Sequence, residues 1–131
     1  MPGRSWIVCG SLCAALGVAL GAFGAHALKE RLAPEDLADW GTAVDYQLWH
    51  SLALILLGVV QERLRAPAWI GWLFLLGILG FSGSIYCLAL SIGESIVWPL
   101  TPLGGMLFLL AWLSLARAAW RSSSRTTSRT P

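Results

Sequence analysis

The sequence predicts an all-α polytopic membrane protein, a bundle of four transmembrane helices with both termini on the cytoplasmic side (N-in/C-in). Three observations carry this. Hydrophobic residues make up 56% of the 131 and charged residues 12%, where soluble domains carry roughly 25% charge; the mean hydropathy is +0.68. The sixteen charges are bunched, leaving uncharged windows of 24, 16, 28 and 22 residues between Arg4 and Lys29, Asp45 and Glu62, Arg65 and Glu94, and Glu94 and Arg117. Within the windows, Leu73–Leu79 and Met106–Leu113 show no polar face at helical period, as a soluble bundle would require. Crossing ~30 Å of hydrocarbon takes about 20 apolar residues in a helix. A barrel would need shorter segments of alternating polarity. One domain, residues 1–120, is therefore expected, with spans at about 6–27, 44–62, 68–91 and 98–118.

The first span follows Arg4 and ends near Ala25-His26-Ala27. A cleaved signal peptide is the competing reading, but the apolar run exceeds the usual core of about 7–15 residues, so the span is expected to be retained. The first outer loop holds a helix start. Ala33-Pro34-Glu35-Asp36 puts proline in the first position and acids in the first turn, where both are favoured. Leu37, Trp40, Val44 and Leu48 then recur at helical spacing, which predicts an amphipathic interfacial helix over about 34–45 running into span two. A loop helix packed only on protein is the alternative. The second loop, Gln61–Ala68, is short and basic, with Pro67 opening the next helix. Pro99 and Pro102 are too close for a helix interior, so span four should start near Pro102, with Thr101 as its N-cap and a short interfacial or re-entrant piece before it. The tail, 121–131, is Arg/Ser/Thr-rich and is expected to be disordered. A solvated, topology-setting role fits it better than nucleic-acid binding.

Orientation follows the arginines and lysines. With the N-terminus inside, Arg4, Arg63, Arg65, Arg117, Arg121, Arg125 and Arg129 face the cytoplasm, and only Lys29 and Arg31 lie outside.

Helices in lipid associate through close packing of small residues. Gly10, Ala14, Gly17, Gly21 and Gly24 are spaced 4, 3, 4, 3, and Gly77, Gly80, Ser84, Cys87 and Ser91 are spaced 3, 4, 3, 4. Both read as packing seams of a left-handed bundle. Whether the contact is within one chain or between copies is left open by the spacing.

Chemistry is sparsely signalled. His26 closes span one and His50 opens span two, with Tyr46 one turn before His50. Haem ligation, metal binding and a proton relay are the functional readings. No CxxCH, HExxH or four-ligand set accompanies the pair, so hydrogen bonding to backbone, Tyr46 or Gln47 is the expected role, with no metal and no cofactor. Cys9, Cys13 and Cys87 read as buried small hydrophobes. No charge lies deep in a span, which argues against an ion-coupled pump, and no phosphate-binding glycine pattern is present.

Gly21-Ala22-Phe23-Gly24-Ala25-His26-Ala27-Leu28, the run Trp40-x-x-Ala43-x-x-Tyr46-Gln47-x-x-His50-Ser51-Leu52-Ala53, Phe81-Ser82-Gly83-Ser84-Ile85-Tyr86 and Thr101-Pro102-Leu103-Gly104-Gly105 together resemble the domain-of-unknown-function 423 family. These are YgdD-like small inner-membrane proteins related to eukaryotic transmembrane protein 256. The resemblance covers nearly the whole chain apart from the tail and implies a multi-pass bacterial inner-membrane protein with about four spans. It implies no activity.

The motif residues His26, Trp40, Tyr46, Gln47, His50, Ser84 and Thr101, with Ser82, are expected to form a polar-aromatic cluster at the outer mouth of the bundle, stapling the first loop to it. The expected function is that of a non-enzymatic packing, assembly or accessory component whose partners are the bilayer and either copies of itself or a larger membrane complex. Two alternatives remain from other classes: lipid or small-molecule binding or transport at the polar cluster, suggested by the proline-broken start of span four, and a haem- or metal-dependent enzyme using the two histidines.

Overall fold

The computed structural model describes residues 3–123. The chain folds into helices α1 (Gly3–Leu28), α2 (Pro34–Leu64), α3 (Trp69–Ala89), α4 (Glu94–Val97) and α5 (Leu100–Ser123), with no strand among the described residues. Four segments are long and apolar enough to cross a membrane: α1, α2, α3 and the stretch Glu94–Ser122. Backbone donors and acceptors find no water in hydrocarbon, so each crossing must satisfy them within the helix.

Local chemistry sets the helix ends. Ala33 is extended, Pro34 takes the first position and Glu35 and Asp36 occupy the first turn of α2. The helix then runs without a break for 31 residues, about 46 Å at 1.5 Å per residue. That exceeds the hydrocarbon thickness, so the segment 34–45 and the second span form one rod. It ends at Arg65, which is left-handed at φ 49°. The third helix begins two residues after Pro67, once the Ile70 amide has closed a turn onto the Pro67 carbonyl at 3.2 Å. The last helix starts at Leu100, with Pro102 inside the first turn, where the missing N–H has no helical acceptor to lose. Thr101 thus lies within the helix and does not cap it. Arg121–Ser123 continue α5; the rest of the tail expected to be disordered lies outside the described residues.

Two helices carry π-wound turns, Gly24–Leu28 at the end of α1 and Ile78–Ser82 within α3. Each inserts a residue into the ladder and turns the following side chains onto a new face.

The middle pair is α2 and α3; α1 lies along α2, and α5 along α3. The first seam faces α2. A Cβ on Gly10 would sit 2.6 Å from the Ser51 carbonyl oxygen, one on Gly17 2.9 Å from Leu48, and one on Gly24 2.6 Å from the Trp40 indole. Gly21 opposes Val44 at 3.3 Å, and Ala14 is half-buried between them. The second seam faces α5: Gly77 lies against Phe108, Gly80 against Gly104, and Ser84 against Thr101. Ser91 takes no part, because it falls beyond the end of α3, exposed and at φ 55°. Both seams are thus occupied by neighbours within one chain. A third close approach has no small-residue repeat behind it. The Trp6 indole lies on Gly71 and ties α1 to α3.

The core divides in two. Trp6, Leu54, Leu57, Ile70, Phe74, Phe108, Ala111 and Leu115 fill the half nearer the termini. Leu28, Trp40, Val44 and Ala89 close the end that carries the 29–33 connection. These are called the terminal end and the loop end below.

Candidate functional site

Between the two core clusters lies a layer of buried polar side chains: Gln47, His50 and Ser51 from α2, and Ser82 and Ser84 from α3. Each sits there because its neighbour at i±3 or i±4 shares its face.

Gln47 is the hub. Its Nε2 donates to the Cys13 carbonyl of α1 at 2.8 Å, and its Oε1 accepts from the Tyr86 hydroxyl of α3 at 2.9 Å. One side chain therefore joins three helices. The flat fit of Gly17 against Leu48 and the Gln47 amide is what lets Gln47 reach the α1 backbone. Below it, the Ser51 hydroxyl donates to the Gln47 carbonyl at 2.6 Å. Towards the loop end, Trp40 Nε1 donates to the Leu20 carbonyl of α1 at 2.9 Å, one turn before the π-wound segment. Its ring lies 4.6 Å from Tyr86.

His50 is held differently. Its Nδ1 is 2.7 Å from the Tyr46 carbonyl oxygen. A carbonyl only accepts, so Nδ1 carries the proton and donates. The imidazole stacks on Phe108 of α5, with centroids 3.4 Å apart and planes 10° apart. Tyr46 in turn stacks on Phe81 at 4.5 Å. Phe74 and Trp112 complete the aromatic surround. Where α3 meets α5, the Ser84 and Thr101 hydroxyls share a hydrogen bond of 2.6 Å, and Ser84 also donates to the Phe81 carbonyl at 2.8 Å. Ser84 has one proton and gives it to the Phe81 carbonyl, so the Thr101 hydroxyl donates to a Ser84 lone pair.

Six of the seven expected cluster residues, Trp40, Tyr46, Gln47, His50, Ser84 and Thr101, thus lie in the interior between the helices, buried or half-buried; Trp40, Gln47, Ser84 and Thr101 hydrogen-bond across them, while Tyr46 and His50 meet the other helices by ring stacking. His26 does not join them. It is exposed on the π-wound end of α1. Gly24 opposes Trp40 and Gly17 opposes Leu48, so His26 stands at the level of about residue 39. That is some ten residues along α2 from His50, about 15 Å. The two histidines cannot hold one metal or haem within a single copy. Among the described residues no group of three or more His, Cys, Asp or Glu side chains is placed to hold a metal ion.

Tyr86, Ser51 and Phe108 belong to the site but are not among the expected cluster residues, although Ser51 and Tyr86 stand in the motifs that carry the resemblance. Tyr86 carried a signal. A tyrosine hydroxyl deep in an apolar window needs a partner in hydrocarbon, and Gln47 offers an amide acceptor on the neighbouring span. Within this polar layer the Ser82 hydroxyl is fully buried without a hydrogen bond, as is the Trp6 indole N–H in the terminal-end core.

The model of a family described as a protein of unknown function, DUF423, matches residues 20–105, which hold every residue of this site except Cys13 and the aromatic side chains beyond Gly105. A UPF0382 membrane protein of Staphylococcus haemolyticus is 43% identical over 113 residues, spanning 86% of this chain and 92% of its own. The UPF0382 membrane protein YwdK of Bacillus subtilis is 38% identical over 119 residues, 88% of this chain and 96% of its own. A UPF0382 membrane protein of Haemophilus influenzae is 42% identical over 113 residues, 82% of this chain and 86% of its own. No solved structure matches. Helices that span, seams that pack and identities sustained along most of each chain lead to one conclusion: this protein belongs to the DUF423 family of UPF0382 membrane proteins.

Proposed function

We propose that this protein is a non-enzymatic packing, assembly or accessory component of the bacterial inner membrane that works together with copies of itself or with a larger membrane complex. The observation that supports this reading is where its polar groups are spent. Gln47, Tyr86, Trp40, Ser51, Ser84 and Thr101 are turned inward onto neighbouring helices or their own backbone, which serves rigidity. The faces left over are lateral and apolar. Only 17% of the most apolar stretch is buried in α1 and in Glu94–Ser122, against 44% in α2. Val8, Leu12 and Leu16 on α1 and Met106, Leu109, Leu110 and Leu113 on α5 are exposed. These two flanks suit packing within the bilayer.

Native mass spectrometry after extraction in mild detergent tests the reading. A homo-oligomer or a stoichiometric second chain is expected. A monomer with no protein companion, recovered at native expression level, would sink it.

The proposed orientation places both termini in the cytoplasm. Arg4, Arg63, Arg65, Arg117 and Arg121 gather at the terminal end, while Glu30, Glu35, Asp36, Asp39, Asp45 and Glu94 lie at the loop end with Lys29 and Arg31. In a variant lacking the native cysteines, Glu35→Cys should react with a membrane-impermeant maleimide in intact cells whose outer barrier is opened. Ser122→Cys should react only after the inner membrane is broken. The reverse pattern would overturn the assignment.

A further inference from the structure

The turn between α2 and α3 is built with a residue that backbone geometry disfavours. Arg65 caps α2 at φ 49°, ψ 39°, a left-handed conformation that crowds a Cβ and in which helices usually place glycine. The turn does not need the arginine side chain. Its amides are already satisfied through the backbone, Arg65 N–H on the Glu62 carbonyl at 3.2 Å and Ala66 N–H on the Gln61 carbonyl at 2.9 Å. The exposed guanidinium therefore does something the turn itself does not require.

Its surroundings point to an anionic surface. Exposed Arg4, Arg63 and Arg117 lie at the same end, because Gly3 packs on Gly58 and because Ala66, Ile70, Leu115 and Ala118 share one core cluster. Glu62 is the only acidic residue there among the described residues. Trp120, 80% exposed, stands in the last turn of α5 one turn after Arg117, and Trp69 and Trp72, 52% and 46% exposed, stand in the first turn of α3, deeper along the bundle. Indoles favour the headgroup depth of a bilayer, so the guanidinium groups stand where lipid phosphates are. Arginine presents a planar fork that matches two phosphate oxygens.

We propose that the terminal end of the bundle binds the phosphate headgroups of anionic phospholipids, through the Arg63–Arg65 turn together with Arg4 and Arg117. The opposite end, rich in carboxylates, repels the same headgroups. This property belongs to the single chain and stands whether or not the protein assembles with partners.

The test uses the full chain in neutral detergent, offered equimolar phosphatidylglycerol and phosphatidylcholine of identical acyl chains, with retained lipid read by native mass spectrometry. Phosphatidylglycerol should be retained in clear excess, and the excess should shrink at high salt, as exposed charges require. Arg63→Gln, Arg65→Gly and Arg117→Gln should each lower the preference about fivefold. Arg65→Gly is the decisive variant. It relieves the left-handed strain, so its melting temperature in phosphatidylcholine should match or exceed that of the native chain, and loss of lipid preference there is not unfolding. A Lys29→Gln, Arg31→Gln double variant at the loop end should change nothing. Equal retention of the two lipids, an unaltered preference in Arg65→Gly and Arg63→Gln, or an equal loss in the loop-end variant would each overturn the proposal. So would displacement of phosphatidylglycerol by inorganic phosphate alone, which would make the site one for a free anion.

Discussion

Leucine in place of Gly10 is expected to destabilise the bundle by about 3 kcal/mol, the upper part of the range for overpacking a close-packed interior. The neighbours explain the size. A Cβ at this position already lies 2.6 Å from the Ser51 carbonyl oxygen and 3.0 Å from the Ile55 amide nitrogen. Both are helical backbone and cannot turn aside, so α1 and α2 must separate. Gly17→Leu should cost less, about 1–2 kcal/mol, since its nearest neighbour is the Leu48 methyl, which has other rotamers. Gly41→Leu provides the control. Nothing lies within 4 Å of a Cβ there and the position is exposed, so the substitution should be neutral or stabilising by up to about 0.8 kcal/mol through helix propensity. Unfolding in mixed micelles with a denaturing detergent measures all three. Equal stability of the Gly10 and Gly41 variants would mean that α1 does not seat on α2 as described.

Gln47→Leu should cost about 2 kcal/mol. Interhelical hydrogen bonds in membranes average only about 0.6 kcal/mol each, with the best near 1.7. Two are lost here, to the Cys13 carbonyl and the Tyr86 hydroxyl. The hydroxyl is also left without a partner in a dry interior, a further desolvation cost. Tyr86→Phe removes the hydroxyl along with its need for a partner, so it should cost no more than about 1 kcal/mol. The double variant should then be less destabilised than the two single costs combined. A double-mutant cycle on the same unfolding assay reads this coupling directly. Strict additivity would show that the 2.9 Å contact carries no energy.

Much of the architecture was legible in the residues because the bilayer imposes so coarse a rule. A charge in hydrocarbon is costly and an unpaired amide more so, which makes uncharged windows into helices with little regard for detail. Small-residue spacing was legible for the same reason, since packing in lipid depends on how near two backbones come. The start of the last helix is legible only to within a turn, because proline is tolerated anywhere in a first turn; the helix begins at Leu100. His26 was grouped with His50 because adjacent spans bring their nearer ends together. Where α2 carries ten extra residues beyond the span, the level of contact shifts along the rod by a comparable distance.

By itself, the sequence determined that the chain lies in a membrane, that its spans are helices, and which helix faces bear small residues. Those features follow from composition and period, which depend on neighbours a few residues away. Only the tertiary structure decided that both seams are consumed within one copy, that Gln47 meets Tyr86 across 39 positions, and that His50 rests on Phe108 and not near His26. Such pairings depend on how far each helix slides and turns against the next. That register is fixed by many shallow contacts acting together and by two π-wound turns that no local residue pattern announces.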